Sequence, residues 1–175
     1  MNLVLTGYRC SGKSTIGRIL ASRLDMDFCD TDAFIEERIG KTVETLVAEY
    51  GWSRFRKEER KAVETLVRLD SRVIATGGGV VLDRRNVRDL KSNGWIVWLK
   101  AERAILERRM GQEQESGIVR PSLTGTDSRE ETAEVLEKRT PYYAGAADFV
   151  VDTGRLSPDA AAEMIIKAFE TARGA

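Results

Sequence analysis

The chain has 175 residues, with 28 Lys plus Arg against 28 Asp plus Glu, two cysteines and no histidine. That length suits one compact domain spanning 1–175, and zero net charge supplies no long-range field for nucleic acid or an anionic membrane, so any basic site must be a local cluster. Two cysteines cannot build a disulfide framework, and without histidine neither a Cys/His zinc site nor a His-based triad can be assembled.

The N-terminus runs directly into a strand predicted over Asn2–Thr6, with no charged and apolar leader pattern, and no apolar run approaches membrane-spanning length. A cytoplasmic chain without a membrane partner is therefore expected. Directly after that strand, Gly7-Tyr8-Arg9-Cys10-Ser11-Gly12-Lys13-Ser14 fits G-x4-G-K-[ST] and opens a helix predicted over Lys13–Leu24. Glycines there let backbone N–H groups curl around phosphate oxygens, and the helix N-terminus adds partial positive charge. Lys13 is placed to reach the β- and γ-phosphates and Ser14 to ligate Mg²⁺, with Ser11 and Thr15 in the same turn. A mere tight turn is the competing explanation, disfavoured because pattern and position agree. No N/T-K-x-D segment for reading guanine is evident, so ATP is the expected nucleotide.

The second strand, Asp27–Cys29, runs into Asp30-Thr31-Asp32 and a helix over Thr31–Arg38. Two carboxylates then sit at the carboxyl edge of the sheet, where open α/β folds bind ligands. Backbone alternation points them differently, so one can face a metal beside Ser14 and the other an acceptor hydroxyl. The alternative is that Asp32 or Thr31 simply caps the helix. Two further helices are predicted over Val43–Tyr50 and Arg54–Leu69. In the latter, Arg56 and Glu59 share a face, so the guanidinium fork can be oriented toward a carboxylate ligand; an exposed ion pair is the bland reading. Trp52 and Phe55 read as core.

A strand over Arg72–Ala75 empties into Gly77-Gly78-Gly79, which exposes backbone N–H groups and allows close approach of another molecule. Next come a helix over Asn86–Ser92, a strand over Trp95–Leu99 and a helix over Glu102–Met110. The polar stretch Gly111 to Thr126 has no apolar periodicity and reads as a functional lid, with Arg120 beside Pro121 placed to close on a transferring phosphate. A helix over Ser128–Tyr143 carries Arg139 near its end as a second fork. A strand over Phe149–Val151 and a helix over Pro158–Arg173 complete an alternating α/β pattern.

Taken together, D-T-D, F-R-x-x-E, G-G-G, an Arg-Pro in the lid and a late Arg-x-x-Tyr segment, in that order, resemble the shikimate kinases, over essentially the whole chain. The resemblance implies a five-stranded parallel sheet in order 2-3-1-4-5 flanked by helices, a substrate-binding segment at 31–60 and a mobile lid at 110–124. It implies a monomer with ATP, Mg²⁺ and shikimate as its partners. Gly7, Cys10, Ser11, Gly12, Lys13, Ser14 and Thr15 would hold the nucleotide, with Arg109 against adenine. Ser14 and Asp30 would serve the metal, and Asp32 would contact the reacting hydroxyl. Arg56 and Arg139 would clamp the substrate carboxylate, Glu59 would orient that region, and Gly77, Gly78 and Gly79 would line it. Lys13, Asp32 and Arg120 would be catalytic. Cys10 departs from the glycine many members carry, so a positive φ there would be costly and a slightly different loop shape is the expectation; Tyr143-Ala144-Gly145 departs where more arginine is usual. The alternatives are a gluconate kinase of the same architecture and a nucleotide-dependent switch without an acceptor.

Overall fold

The structure is a computed structural model that describes residues 1–115, 121–123 and 128–174. Five strands, β1 (Asn2–Thr6), β2 (Asp27–Asp30), β3 (Arg72–Ala75), β4 (Gly94–Lys100) and β5 (Phe149–Asp152), form one sheet in the order β2-β3-β1-β4-β5. Every pairing is parallel, which requires crossover segments and covers both faces. The helices are α1 (Lys13–Leu24), α2 (Thr31–Ile39), α3 (Val43–Leu66), α4 (Arg84–Ser92), α5 (Arg103–Glu115), α6 (Ser128–Ala146) and α7 (Pro158–Gly174).

Strand alternation sorts the core into two layers. Leu3 and Leu5 of β1, Val73 of β3, and Val97 and Leu99 of β4 face α1 and α7, meeting Ile16, Leu20, Ile165 and Phe169. Val4, Ile74, Ile96 and Trp98 point the other way, onto Val63, Leu66, Leu90 and Tyr143. The central strand is buried along its whole length, so its carboxyl end opens onto a rigid platform. A separate cluster of Ile35, Leu46, Phe55 and Ala62 ties α2 to α3.

Several boundaries move from their sequence-based positions for local reasons. The two helices expected over 43–50 and 54–69 are both present within α3, interrupted at Gly51, whose φ of 74° and ψ of 169° leave the helical region, and the second ends at Leu66. α4 begins at Arg84 because the Asp83 side chain accepts from Arg85 N–H. A 3₁₀ turn, Val80–Leu82, follows the glycine run. α5 continues to Glu115, so residues 110–115 of the expected lid are helical. Among the described residues, no helix is long and apolar enough to cross a membrane.

Candidate active site

The phosphate loop leaves β1 with Gly7 at φ 145°, Cys10 at 59° and Gly12 at 96°. A Cβ on Gly7 would lie 2.5 Å from the Leu99 carbonyl oxygen, so both conformation and space demand glycine there. Cys10 holds the left-handed conformation despite its side chain, a conformation that costs a residue with a Cβ roughly 1–2 kcal/mol. Lys13 Nζ folds back and donates to the carbonyls of Gly7 at 2.9 Å and Tyr8 at 2.7 Å.

Ser14 Oγ donates to Asp30 Oδ2 at 2.9 Å, while Asp30 Oδ1 accepts from Asp32 N–H at 3.0 Å. Asp30 is thus both the partner of the loop serine and the N-cap of α2. The alternative reading, a cap by Asp32 or Thr31, does not hold: Asp30 is the cap, its extended backbone (φ −114°, ψ 124°) suiting that position. Thr31 instead accepts from Gly77 N–H at 2.8 Å, fastening the glycine run to β2.

Two cavities open at this edge of the sheet. One, of about 460 Å³, is lined by Cys10 to Ile16 with Arg109, Thr153 and Pro158. The other, of about 470 Å³, is lined by Trp52, Phe55, Arg56, Glu59, Gly77 to Gly79, Pro121, Leu123 and Arg139. Arg9, Ser14, Asp30, Asp32 and Gly78 line both, so the cavities meet beside the two carboxylates.

In the second cavity Arg56 Nη1 donates to both oxygens of Glu59, at 2.7 and 2.8 Å. Its guanidinium lies against the Trp52 and Phe55 rings, 5.4 and 5.2 Å from their centroids. Phe55 belongs to the core as expected, yet both rings also hold the fork in place. Burial pushes the Glu59 carboxyl above its ordinary value, against the opposing pull of Arg56 and then Arg139. Tyr143 donates to Gly78 O at 2.5 Å. Burial drives that phenol up to about 12, so it remains a donor at any physiological pH.

None of the glycines in the run has positive φ, so their distinguishing feature is the close approach of neighbouring side chains. A Cβ on Gly77 would come within 2.8 Å of Asp32 Oδ1 and 2.9 Å of Glu59 Oε1, and one on Gly79 would enter the Arg56 guanidinium. A Cβ on Gly78 would stand 3.3 Å from the Gly7 carbonyl oxygen, with Arg139 Nη1 and the Tyr143 hydroxyl in ordinary contact at 3.6 Å.

Arg109 donates to Cys10 O at 3.2 Å and Thr153 O at 2.7 Å, tying the phosphate loop to the segment after β5. Of the Arg108-Arg109 pair, only Arg109 lines the nucleotide-side cavity. Arg120 lies outside the described residues. Arg9 occupies one of the loop's variable positions and gave no sequence signal, yet it borders both cavities.

A phosphate loop opening beside an arginine-lined acceptor cavity, on a parallel sheet of this order, defines a P-loop kinase for a small anionic acceptor. The family model for shikimate kinase matches residues 9–170. Shikimate kinase of Syntrophus aciditrophicus (strain SB) is 41% identical over 98% of this chain and 92% of its own length. That of Nitratidesulfovibrio vulgaris (strain Hildenborough) is 45% identical over 84% of this chain and 83% of its own. The solved shikimate kinase from Acinetobacter baumannii in complex with shikimate matches with a TM-score of 0.89 at 28% identity, covering 97% of this chain and 93% of that one. The chain belongs to the shikimate kinase family.

Proposed function

We propose that the chain transfers the γ-phosphoryl group of ATP to the 3-hydroxyl of shikimate, giving shikimate 3-phosphate and ADP, with Asp32 receiving or orienting the hydroxyl proton. The observation that carries this reading is the junction of the two cavities at Ser14, Asp30 and Asp32. A nucleotide in one cavity and an acceptor in the other bring their reacting atoms together there, and phosphoryl transfer is mostly a matter of such positioning and of charge stabilisation.

Lys13 would exchange its two loop carbonyls for phosphate oxygens, since a primary ammonium with rotatable donors adapts to either. Ser14 and Asp30 suit Mg²⁺: a hydroxyl and a carboxylate already 2.9 Å apart form an all-oxygen pair at the loop's mouth. When bound, Mg²⁺ would offset charge on the phosphate oxygens. Among the described residues no group of three or more His, Cys, Asp or Glu could hold a metal; phosphate and water would complete the shell, the arrangement Mg²⁺ favours.

Shikimate carries one carboxylate, and Arg56 and Arg139 would take it as a pair of forks, each charge-assisted bond worth about 1.5–3 kcal/mol. Glu59 keeps Arg56 in the orientation that faces the cavity, and Gly77 to Gly79 would let the acceptor lie against backbone. Arg120 is assigned to the moving phosphoryl and Arg109 to adenine. Net neutrality supports small molecules, not nucleic acid, as partners.

The test is ADP release measured with shikimate, gluconate and a panel of nucleoside monophosphates. Shikimate alone should stimulate it. Stimulation by gluconate or a nucleoside monophosphate to the same extent would reassign the acceptor, and nucleotide binding without any stimulation would make the chain a switch.

A further inference from the structure

Glu131, in the first turn of α6, is only 4% exposed. An acidic residue there ordinarily serves the helix dipole from the surface, but this one points inward. Its Oε2 accepts from Leu123 N–H at 2.7 Å and from the Ser122 hydroxyl, and its Oε1 lies 3.7 Å from Arg9 Nη1. Arg9 in turn donates to Pro121 O at 3.3 Å, and Trp52 Nε1 donates to Ser122 O at 3.1 Å. Three consecutive residues are therefore fastened to the phosphate loop, to α6 and to α3. Pro121 and Leu123 form one wall of the acceptor cavity, and Arg9 borders both cavities.

Burying a carboxylate costs several kcal/mol unless hydrogen bonds and a counter-charge offset it. Here both come from groups that Glu131 itself holds at the cavity wall. We infer that Glu131 is a positioning residue for acceptor binding, acting through Arg9 and the Pro121–Leu123 segment. The inference rests on the acceptor assignment above, and it adds a requirement absent from the residues that touch the acceptor: a buried negative charge on α6, behind the wall.

The test compares Glu131→Gln, Arg9→Met and the double variant by steady-state kinetics, after wild-type turnover of shikimate has been established. Loss of wild-type turnover would overturn the acceptor assignment itself, whereas the variants address only Glu131. Each single variant should raise KM for shikimate roughly tenfold, and in Glu131→Gln, which lies outside the nucleotide-side cavity, KM for ATP should change less than about threefold. The double variant should be no worse than the poorer single one, because both remove the same coupled contact. Additive losses, or a lower Tm with unchanged KM for shikimate, would overturn the inference. If Glu131→Gln fails to fold, Ser122→Ala takes its place. Removal of that hydroxyl should raise KM for shikimate about threefold, and an unchanged value would count against Glu131.

Discussion

Gly79→Ala tests the proposed acceptor clamp through Arg56. Gly79 sits at φ −103°, ψ 0°, in the bridge region that L-residues occupy at the third position of type I turns, so alanine avoids the strain of a positive φ. Its methyl would stand where the Arg56 guanidinium now lies. The Arg56 side chain is 30% exposed, so the collision resolves by swinging the fork outward, off Glu59, and the backbone stays put. A charge-assisted bond to an acceptor carboxylate is worth about 1.5–3 kcal/mol, which converts to a loss of about 10- to 150-fold in kcat/KM for shikimate. Partial exposure of the fork places the result toward the lower end. Glu59 can take up a proton when its partner leaves, which limits the stability loss to about 1 kcal/mol, or roughly 2–4 °C in Tm. Steady-state kinetics with each substrate varied, alongside thermal melting, reads both quantities. In an Arg56→Ala background the same alanine should cost nothing further. An unchanged KM for shikimate, or an equal rise in KM for ATP, would refute the reasoning.

Asp32→Asn should lower kcat by about 10²- to 10⁴-fold, the range for loss of a proton acceptor, while ATP affinity measured by calorimetry stays within a factor of about two; a matching loss of ATP affinity would remove Asp32 from its role. For Glu59, burial sets a carboxyl above its ordinary 4.5. A raised folded-state value stabilises the fold below the unfolded value, and that contribution is lost as pH rises through the raised one. Wild type should therefore lose ground to Glu59→Gln as pH climbs from about 4, and a difference in Tm that stays flat up to about pH 8 would contradict this. Cys10→Gly should raise Tm by about 2 °C, since relief of a left-handed residue, roughly 1–2 kcal/mol, exceeds the chain entropy that glycine adds, roughly 0.5–1 kcal/mol. A fall in Tm would show that the thiol packs better than its backbone suffers.

The parts of this molecule written most clearly in its sequence are those whose chemistry tolerates few residue types. The phosphate loop is legible because Gly7 and Gly12 adopt positive φ and only Lys13 and Ser14 supply the needed donors. Sheet order was carried by the family resemblance, while the strands themselves showed in their apolar runs. Helix ends were harder. The break between two helices at Gly51 was legible, but Gly111 failed to end α5 because Gln112 and Glu113 are good helix formers on its far side. The glycine run announced close approach, but not that its neighbours would be Asp32, Glu59 and Arg56. Those contacts depend on how α2 and α3 fold back over β3. Arg9 and Glu131 were illegible for the same reason: one occupies a variable loop position, the other imitates an ordinary first-turn acid, and their meaning comes only from tertiary contact.

In the proposed reaction, phosphoryl moves from ATP to one hydroxyl of shikimate where the two cavities join. ³¹P NMR of the products formed from ATP, Mg²⁺ and shikimate tests it most directly. ADP and a single phosphomonoester whose phosphorus couples to the proton on C3 of shikimate are the expected products. Inorganic phosphate as the only new signal, or a phosphoester at another hydroxyl, would contradict it.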